Sequence, residues 1–222
     1  MSGAALLAGL QLVLAGAGEP PELAPYRALA LDPAAAHALL RAANEGIRAG
    51  LGAAAVPVAA PAAAPSGRDS AAAAWPGSVR PLYVTLVRGR ATRACVGSDV
   101  PPGGTLRAAL RTLGAQVVAS DTRHPPLEPR ELDSLEVVIA FASDPQPVAD
   151  PLALDPVREG LKIETERGAM AFLPGEARTV SWALREARRI GVLAGPEREA
   201  RFYRFSVVTI RGPAERVRPD QE

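Results

Sequence analysis

The chain has one cysteine, Cys95, one lysine, Lys162, and two histidines, His37 and His124, in 222 residues. A single cysteine excludes an internal disulfide and any zinc-finger spacing. Two histidines argue against a multi-histidine metal centre, so neither metal nor cofactor is expected. Aromatic residues are only 4% of the chain. Its 25 basic and 24 acidic side chains are interspersed and leave a net charge of +1. That pattern offers neither the basic stripe nor the stacking platform of a nucleic-acid binder. Arginine supplies every basic residue but Lys162, a codon habit of GC-rich genomes. No apolar run reaches the roughly 20 residues of a bilayer-spanning helix, so no membrane span is expected.

What is present is a globular composition, 48% hydrophobic though inflated by alanine, and length for one large domain or two small ones. Residues 4–17 form a short apolar run ending in Ala15-Gly16-Ala17 before a polar, proline-rich stretch. This resembles the apolar region and cleavage site of a secretory signal, although no Lys or Arg precedes it. Two readings stand: an exported precursor, or an extension of a cytoplasmic protein. Residues 1–30 are read as an extension, 31–211 as the domain and 212–222 as a loose tail.

Asp32-Pro33 starts a helix, with aspartate as N-cap and proline in the first turn. Ala36, Leu39, Leu40, Ala43, Ile47 and Leu51 make its apolar stripe, opposite His37, Arg41, Asn44, Glu45 and Arg48. Residues 52–78, almost all Ala, Pro, Gly and Ser, read as a disordered linker in which Trp75 alone has bulk.

Leu82–Val87 then alternates as a half-buried strand, and Arg88-Gly89 reads as a tight turn. With a two-residue turn, Leu82 would face Cys95 and Val84 would face Arg93, which puts both on an aliphatic face; a three-residue turn reverses the pairing. A guanidinium on such a face requires an anionic or hydrogen-bonding partner. Arg93-Ala94-Cys95-Val96-Gly97-Ser98 is therefore a candidate site. Thr105 caps a helix with Leu106, Ala109, Leu110, Leu113 and Val117 inside. A loop over 121–127 leads to an acidic turn at 129–134 and an apolar strand over 135–142. A hairpin over 161–173, a helix over 179–190 stopped by Gly191, and a last strand over 202–210 complete the reading. Strands and helices mix without regular alternation, so the fold class is α+β, with mixed or antiparallel sheets flanked by helices.

Several motifs in order resemble the AMMECR domain family. The family's Gly followed by Leu-Arg-Gly-Cys-Ile-Gly stands as Gly89 and Thr92-Arg93-Ala94-Cys95-Val96-Gly97. Its Asp-Pro-Arg-Phe-Pro-Pro-Leu is matched by Asp121-Thr122-Arg123-His124-Pro125-Pro126-Leu127, and its Ser-Pro-Pro-Glu-Pro by Ser143-Asp144-Pro145-Gln146-Pro147. Phe172-Leu173-Pro174 and Tyr203-Arg204-Phe205 also fit. Ala94, Thr122 and His124 depart from the family's Gly, Pro and Phe. The resemblance implies two intertwined subdomains with a cleft between them, a cytoplasmic location, unsettled biochemistry, and an association with Memo-type and radical-SAM proteins.

On this footing the expected function is a small-molecule-binding or enzymatic cleft, with a non-catalytic scaffold as the alternative. Cys95 is a nucleophile activated by Arg93, or a small buried hydrophobe. His124 is its base if both loops face one cleft, or a plain loop residue. Gly97, Ser98, Asp121 and Arg123 would complete the ligand wall. Glu136 either sits at an exposed strand end or reaches Arg93. Gly103-Gly104-Thr105 opens a helix that would favour an anion, or is an ordinary cap.

Overall fold

The computed structural model describes residues 20–53, 74–121 and 124–215. Among them, two four-stranded antiparallel sheets each carry helices on one face. The first has the strand order β2-β1-β3-β8, from β1 (Leu82–Arg88), β2 (Ala91–Ser98), β3 (Glu136–Ala142) and β8 (Val207–Pro213). Over it lie α1 (Ala24–Leu31), α2 (Pro33–Ala53) and α3 (Leu106–Val117). The Asp32 carboxylate accepts from the Ala34 N–H at 2.9 Å and closes the first turn of α2, as the sequence predicts. Leu39, Ala43 and Ile47 of α2 pack with Leu106, Leu110 and Leu113 of α3 onto Val84, Ile139 and Ile210. Each such side chain contributes about 1.5–3 kcal/mol through burial. The two helices approach to backbone contact, since a Cβ on Gly46 would stand 2.1 Å from the Arg111 carbonyl oxygen.

This core extends upstream of residue 31, where the sequence reading starts the domain. Leu23 and Tyr26 are fully buried, Tyr26 stacks on Phe141 with centroids 4.5 Å apart, and its hydroxyl donates to the Ser78 carbonyl at 2.6 Å. Trp75, at the end of the stretch read as linker, packs against the same core. Residues 54–73 of that stretch, and the signal-like segment 1–17, lie outside the described residues. Asn44 is a correction: helical periodicity puts it on the polar face, yet it is only 1% exposed. Its Nδ2 donates to the Pro213 carbonyl at 3.1 Å and its Oδ1 accepts from the Glu215 N–H at 3.0 Å, so both ends of a buried amide are satisfied. Residues 212–215 are thereby fixed to α2 rather than loose. No helix of the described residues is long and apolar enough to cross a membrane.

The second sheet is inserted between β3 and β8. Its order is β4-β7-β5-β6, from β4 (Gln146–Pro147), β5 (Gly160–Thr165), β6 (Gly168–Phe172) and β7 (Arg201–Phe205). α4 (Val180–Arg189) covers it with Val180, Ala183, Leu184 and Ala187. The apolar run read as one final strand is two, in different sheets, with Ser206 between them. Hydrophobic pattern carries no mark of where a strand changes sheet. The marker here is polar: the Ser206 N–H donates to Ser143 Oγ at 3.0 Å, and the Ser143 N–H donates to the Ser206 carbonyl at 2.9 Å. Ser143 is where the chain leaves β3 for the other sheet, so both crossings lie side by side.

The sheets are joined by a small third core of Tyr83, Ala140, Ala142, Leu173 and Phe205. Tyr83 of β1 and Phe205 of β7 stack with centroids 6.1 Å apart and planes 8° from parallel. Each ring lies over the glycine directly across from it, Gly97 for Tyr83 and Gly160 for Phe205. A Cβ on Gly97 would sit 2.1 Å from the Tyr83 ring, and one on Gly160 2.3 Å from the Phe205 ring. Glycine is required at both positions for space.

The central hairpin corrects the predicted register. The turn has two residues, but they are Gly89-Arg90, and a β-bulge at Arg93 shifts the pairing. Thr85, not Leu82, faces Cys95, and Leu86 faces Ala94. Cys95 therefore lies on the face of Tyr83 and Thr85, while Leu82, Val84 and Leu86 point to the helices. Arg93 finds its anion in Glu131: Nε donates to Oε2 at 2.8 Å and an Nη to Oε1 at 2.7 Å, and Arg88 adds a bond at 3.1 Å. The Arg93 guanidinium, helped by the Glu128 N–H and Arg88, holds the Glu131 carboxyl down at about 2.

Two predictions follow from this packing. Gly97→Ala and Gly160→Ala should each cost about 1–3 kcal/mol in urea unfolding, as expected for overpacking. Gly104→Ala, with nothing within 4 Å, should be near neutral; equal effects at all three would contradict the seating of the rings. The second concerns pH. Because the folded value of Glu131 lies below its ordinary 4.5, the pair stabilises fully above pH 4.5 and its contribution is lost as pH falls towards 2. Glu131→Gln should cost about 2 kcal/mol at pH 7, allowing for partial screening, and close to nothing near pH 2. A cost independent of pH would contradict the ion pair.

Candidate functional site

β2 is an edge strand, so part of its backbone faces away from β1 and must find partners elsewhere. The Cys95 N–H does so by donating to the Asp121 carboxylate at 2.8 Å. On the same residue the Thr85 hydroxyl donates to Sγ at 3.1 Å. Thr85 is 2% exposed, and a buried hydroxyl requires such a partner. Cys95 itself is half-buried and packs at the edge of the core that joins the sheets.

That edge opens into a hollow of about 340 Å³. Tyr83, Cys95 and Gly97 line it from the first sheet, Asp99 from just beyond β2, and Lys162, Ala169, Met170 and Ala171 from the second. Ser120, Asp121, Ile190 and Val192 complete the walls. Lys162 Nζ donates to Asp99 Oδ2 at 2.6 Å and lies 3.8 Å from the Glu164 carboxylate. The lysine side chain is 12% exposed and that of Asp99 56%, so the ammonium lies inside and the carboxylate at the mouth. The Tyr83 hydroxyl is pushed above its ordinary value, first by burial and then by the negative charge of the nearby Asp99 carboxylate. Thiol, phenol, ammonium and carboxylate thus meet around one small volume. A second hollow, about 700 Å³, lies along β4 and β7 and is lined by Asp150, Glu197 and Arg201, with Pro147 and Tyr203 of the later motifs but none of the candidate site residues.

Of the residues singled out in the sequence, the structure brings Cys95, Gly97 and Asp121 together at the smaller hollow. Ser98 turns away, its hydroxyl donating to the Val100 carbonyl at 2.6 Å. Arg93 is taken up by Glu131 and feels the charge of Asp121. Glu136 adopts the exposed-end reading, pairing with Arg211 of β8 at 3.0 Å instead of with Arg93. His124 is exposed at the bend after Asp121 and does not line the hollow. Arg123 lies outside the described residues. Thr105 accepts from the Ala108 N–H as an ordinary cap. The sequence reading missed Lys162, Asp99 and Tyr83. The one available signal was that Lys162 is the sole lysine in an arginine-rich chain.

Comparison with known proteins bears on the whole arrangement. The crystal structure of the uncharacterized protein PH0010 from Pyrococcus horikoshii matches with a TM-score of 0.57, covering 78% of this chain and 89% of that one. At 19% identity that likeness speaks for the fold. A Thermotoga maritima protein named only "Protein" is 30% identical over 117 residues, 52% of this chain and 67% of its own length. The family model described as AMMECR1 matches residues 42–210, from within α2 to β8 and through every residue of the hollow. The chain belongs to the AMMECR1 family.

Proposed function

We propose that the hollow between the sheets is a small-molecule site, and that the protein is a ligand-binding protein or an enzyme working through it. One observation carries this reading. Cys95 and Gly97 of the family motif share walls with the largely buried ammonium of Lys162 from the other sheet, which is paired with the exposed Asp99 carboxylate at the mouth. Clefts of about 300–1,000 Å³ that combine an apolar wall with a few convergent polar groups are the usual form of ligand sites. In such a role Cys95 would meet the ligand with its thiol. Thr85 would orient the sulfur through its hydroxyl, and Asp121 would fix the backbone beneath it. Lys162, Asp99 and Tyr83 would supply charge and hydrogen bonds. His124 as a base would require its loop to swing towards the thiol. Memo-type and radical-SAM proteins, implied by the family resemblance, are the proposed partners.

A second reading is favoured by the Thr85–Cys95 bond. A thiol that satisfies a buried hydroxyl and packs beside Tyr83 and Ala171 serves the join of the two sheets, and the protein is then a scaffold. Alkylation by iodoacetamide separates the two. If the hollow is an accessible site, native Cys95 should react at pH 7 within about tenfold of the rate in the urea-unfolded chain. Cys95→Ser should then leave the unfolding midpoint almost unchanged. Reaction only after unfolding, together with a cost of about 1–3 kcal/mol for Cys95→Ser, would establish the scaffold reading instead.

A further inference from the structure

The lining of the hollow has hydrogen-bond donors to spare in its interior. An ammonium carries three N–H donors, and Lys162 has one hydrogen-bond partner among the described residues, Asp99. The Glu164 carboxylate, at 3.8 Å, is too far to accept and is itself held by Arg201 at 2.6 Å. The Tyr83 hydroxyl, on a residue 8% exposed, has no hydrogen-bond partner among the described residues. The acids are placed differently: Asp121 accepts from the Cys95 N–H, and Asp99 stands at the mouth where water serves it. Met170, Ile190 and Val192 add apolar lining, Met170 also packing on the core beneath α4. Spare donors beside apolar lining select a molecule with an acceptor head and an apolar body.

We propose that the hollow takes a small carboxylic acid as its carboxylate, which replaces Asp99 on Lys162, accepts from the Tyr83 hydroxyl, and lies against Met170, Ile190 and Val192 beside the Cys95 thiol. The inference rests on the reading of the hollow as a small-molecule site. The exchange is easy, because an ion pair with one partner more than half exposed contributes little. A phosphate fits less well. It is best met by guanidinium forks, and among the described residues no arginine lines the hollow.

Two alkylating reagents test this directly. Iodoacetate and iodoacetamide react by the same step: the thiol proton passes to solvent, sulfur bonds to the methylene carbon, and iodide leaves with the electron pair of the broken C–I bond. They differ only in carrying a carboxylate or its neutral amide. Cys95 is the sole cysteine, so the ratio of the two rates reports this hollow alone. In the folded protein at pH 7 the iodoacetate-to-iodoacetamide ratio should exceed that of the urea-unfolded chain by about fivefold. Lys162→Met should return it to the unfolded value or below. Asp99→Asn, an exposed change that keeps the test valid if the lysine variant does not fold, should raise it further. A ratio no higher than that of the unfolded chain and unmoved by Asp99→Asn overturns the carboxylate proposal. So does better protection of Cys95 by inorganic phosphate than by butyrate at equal ionic strength. Failure of both reagents to label the folded protein overturns the small-molecule reading itself.

Discussion

The stack of Tyr83 on Phe205 is the contact on which the rest of the structure depends. The second sheet is an insertion in the first, and among the described residues it is tied to it by backbone hydrogen bonds where the chain passes Ser143 and Ser206. Two crossing points set the order of the strands but leave the sheets free to hinge. The stacked rings remove that freedom, because each is pressed between the other and a glycine of its own sheet. An aromatic pair of this kind contributes about 0.5–1.5 kcal/mol beyond the area it buries. Placement matters more than the energy. With the rings as a spacer, the two sheet edges beyond them enclose a volume that neither encloses alone.

The chemistry at that volume follows from how the edge strand β2 is terminated. An edge strand must hide or satisfy its outward backbone groups, and Asp121 does this at Cys95. The bulge at Arg93 then divides the motif into two neighbouring roles. Arg93 goes to Glu131 and secures the short 3-10 helix Pro129–Ser134, whose Leu132 lies in the helix-side core. Cys95 goes to the opposite face, next to the hollow. The arginine and the cysteine of the motif are close in sequence and separate in placement: one pairs with Glu131 beside the hairpin, the other borders the space between the sheets.

Most of the fold was legible in the sequence, because helices and strands announce themselves through periodicity and capping. Asp32 and Thr105 start helices where their side chains predict them, and the helix read over 179–190 begins with Thr179 as its cap. The misses share one physical cause, which is that pairing across distance leaves no local trace. A bulge changes register by one residue and moves Cys95 to the other face without altering the alternation that flanks it. Asn44 looks solvated on a helical wheel, and only the return of the chain at Pro213 buries it. Half of the site was visible as the motif around Cys95 and Asp121. The other half, Lys162, comes from a strand 63 residues beyond its partner Asp99.

If the Tyr83–Phe205 seam makes one cooperative unit of the two sheets, they should unfold together, and the chain carries a reporter in each. Trp75 packs on the first core, and Trp182 of α4 meets Phe172 in the second half with ring centroids 5.8 Å apart. The measurement is urea unfolding of Trp75→Phe and Trp182→Phe, following the fluorescence of the remaining tryptophan against far-UV circular dichroism of the same sample. The structure predicts coincident fluorescence and dichroism transitions in both variants, the signature of a two-state unit. A Trp182 signal that melts before or after the dichroism of its own sample would show that the halves unfold separately, and would contradict a seam rigid enough to shape a binding site.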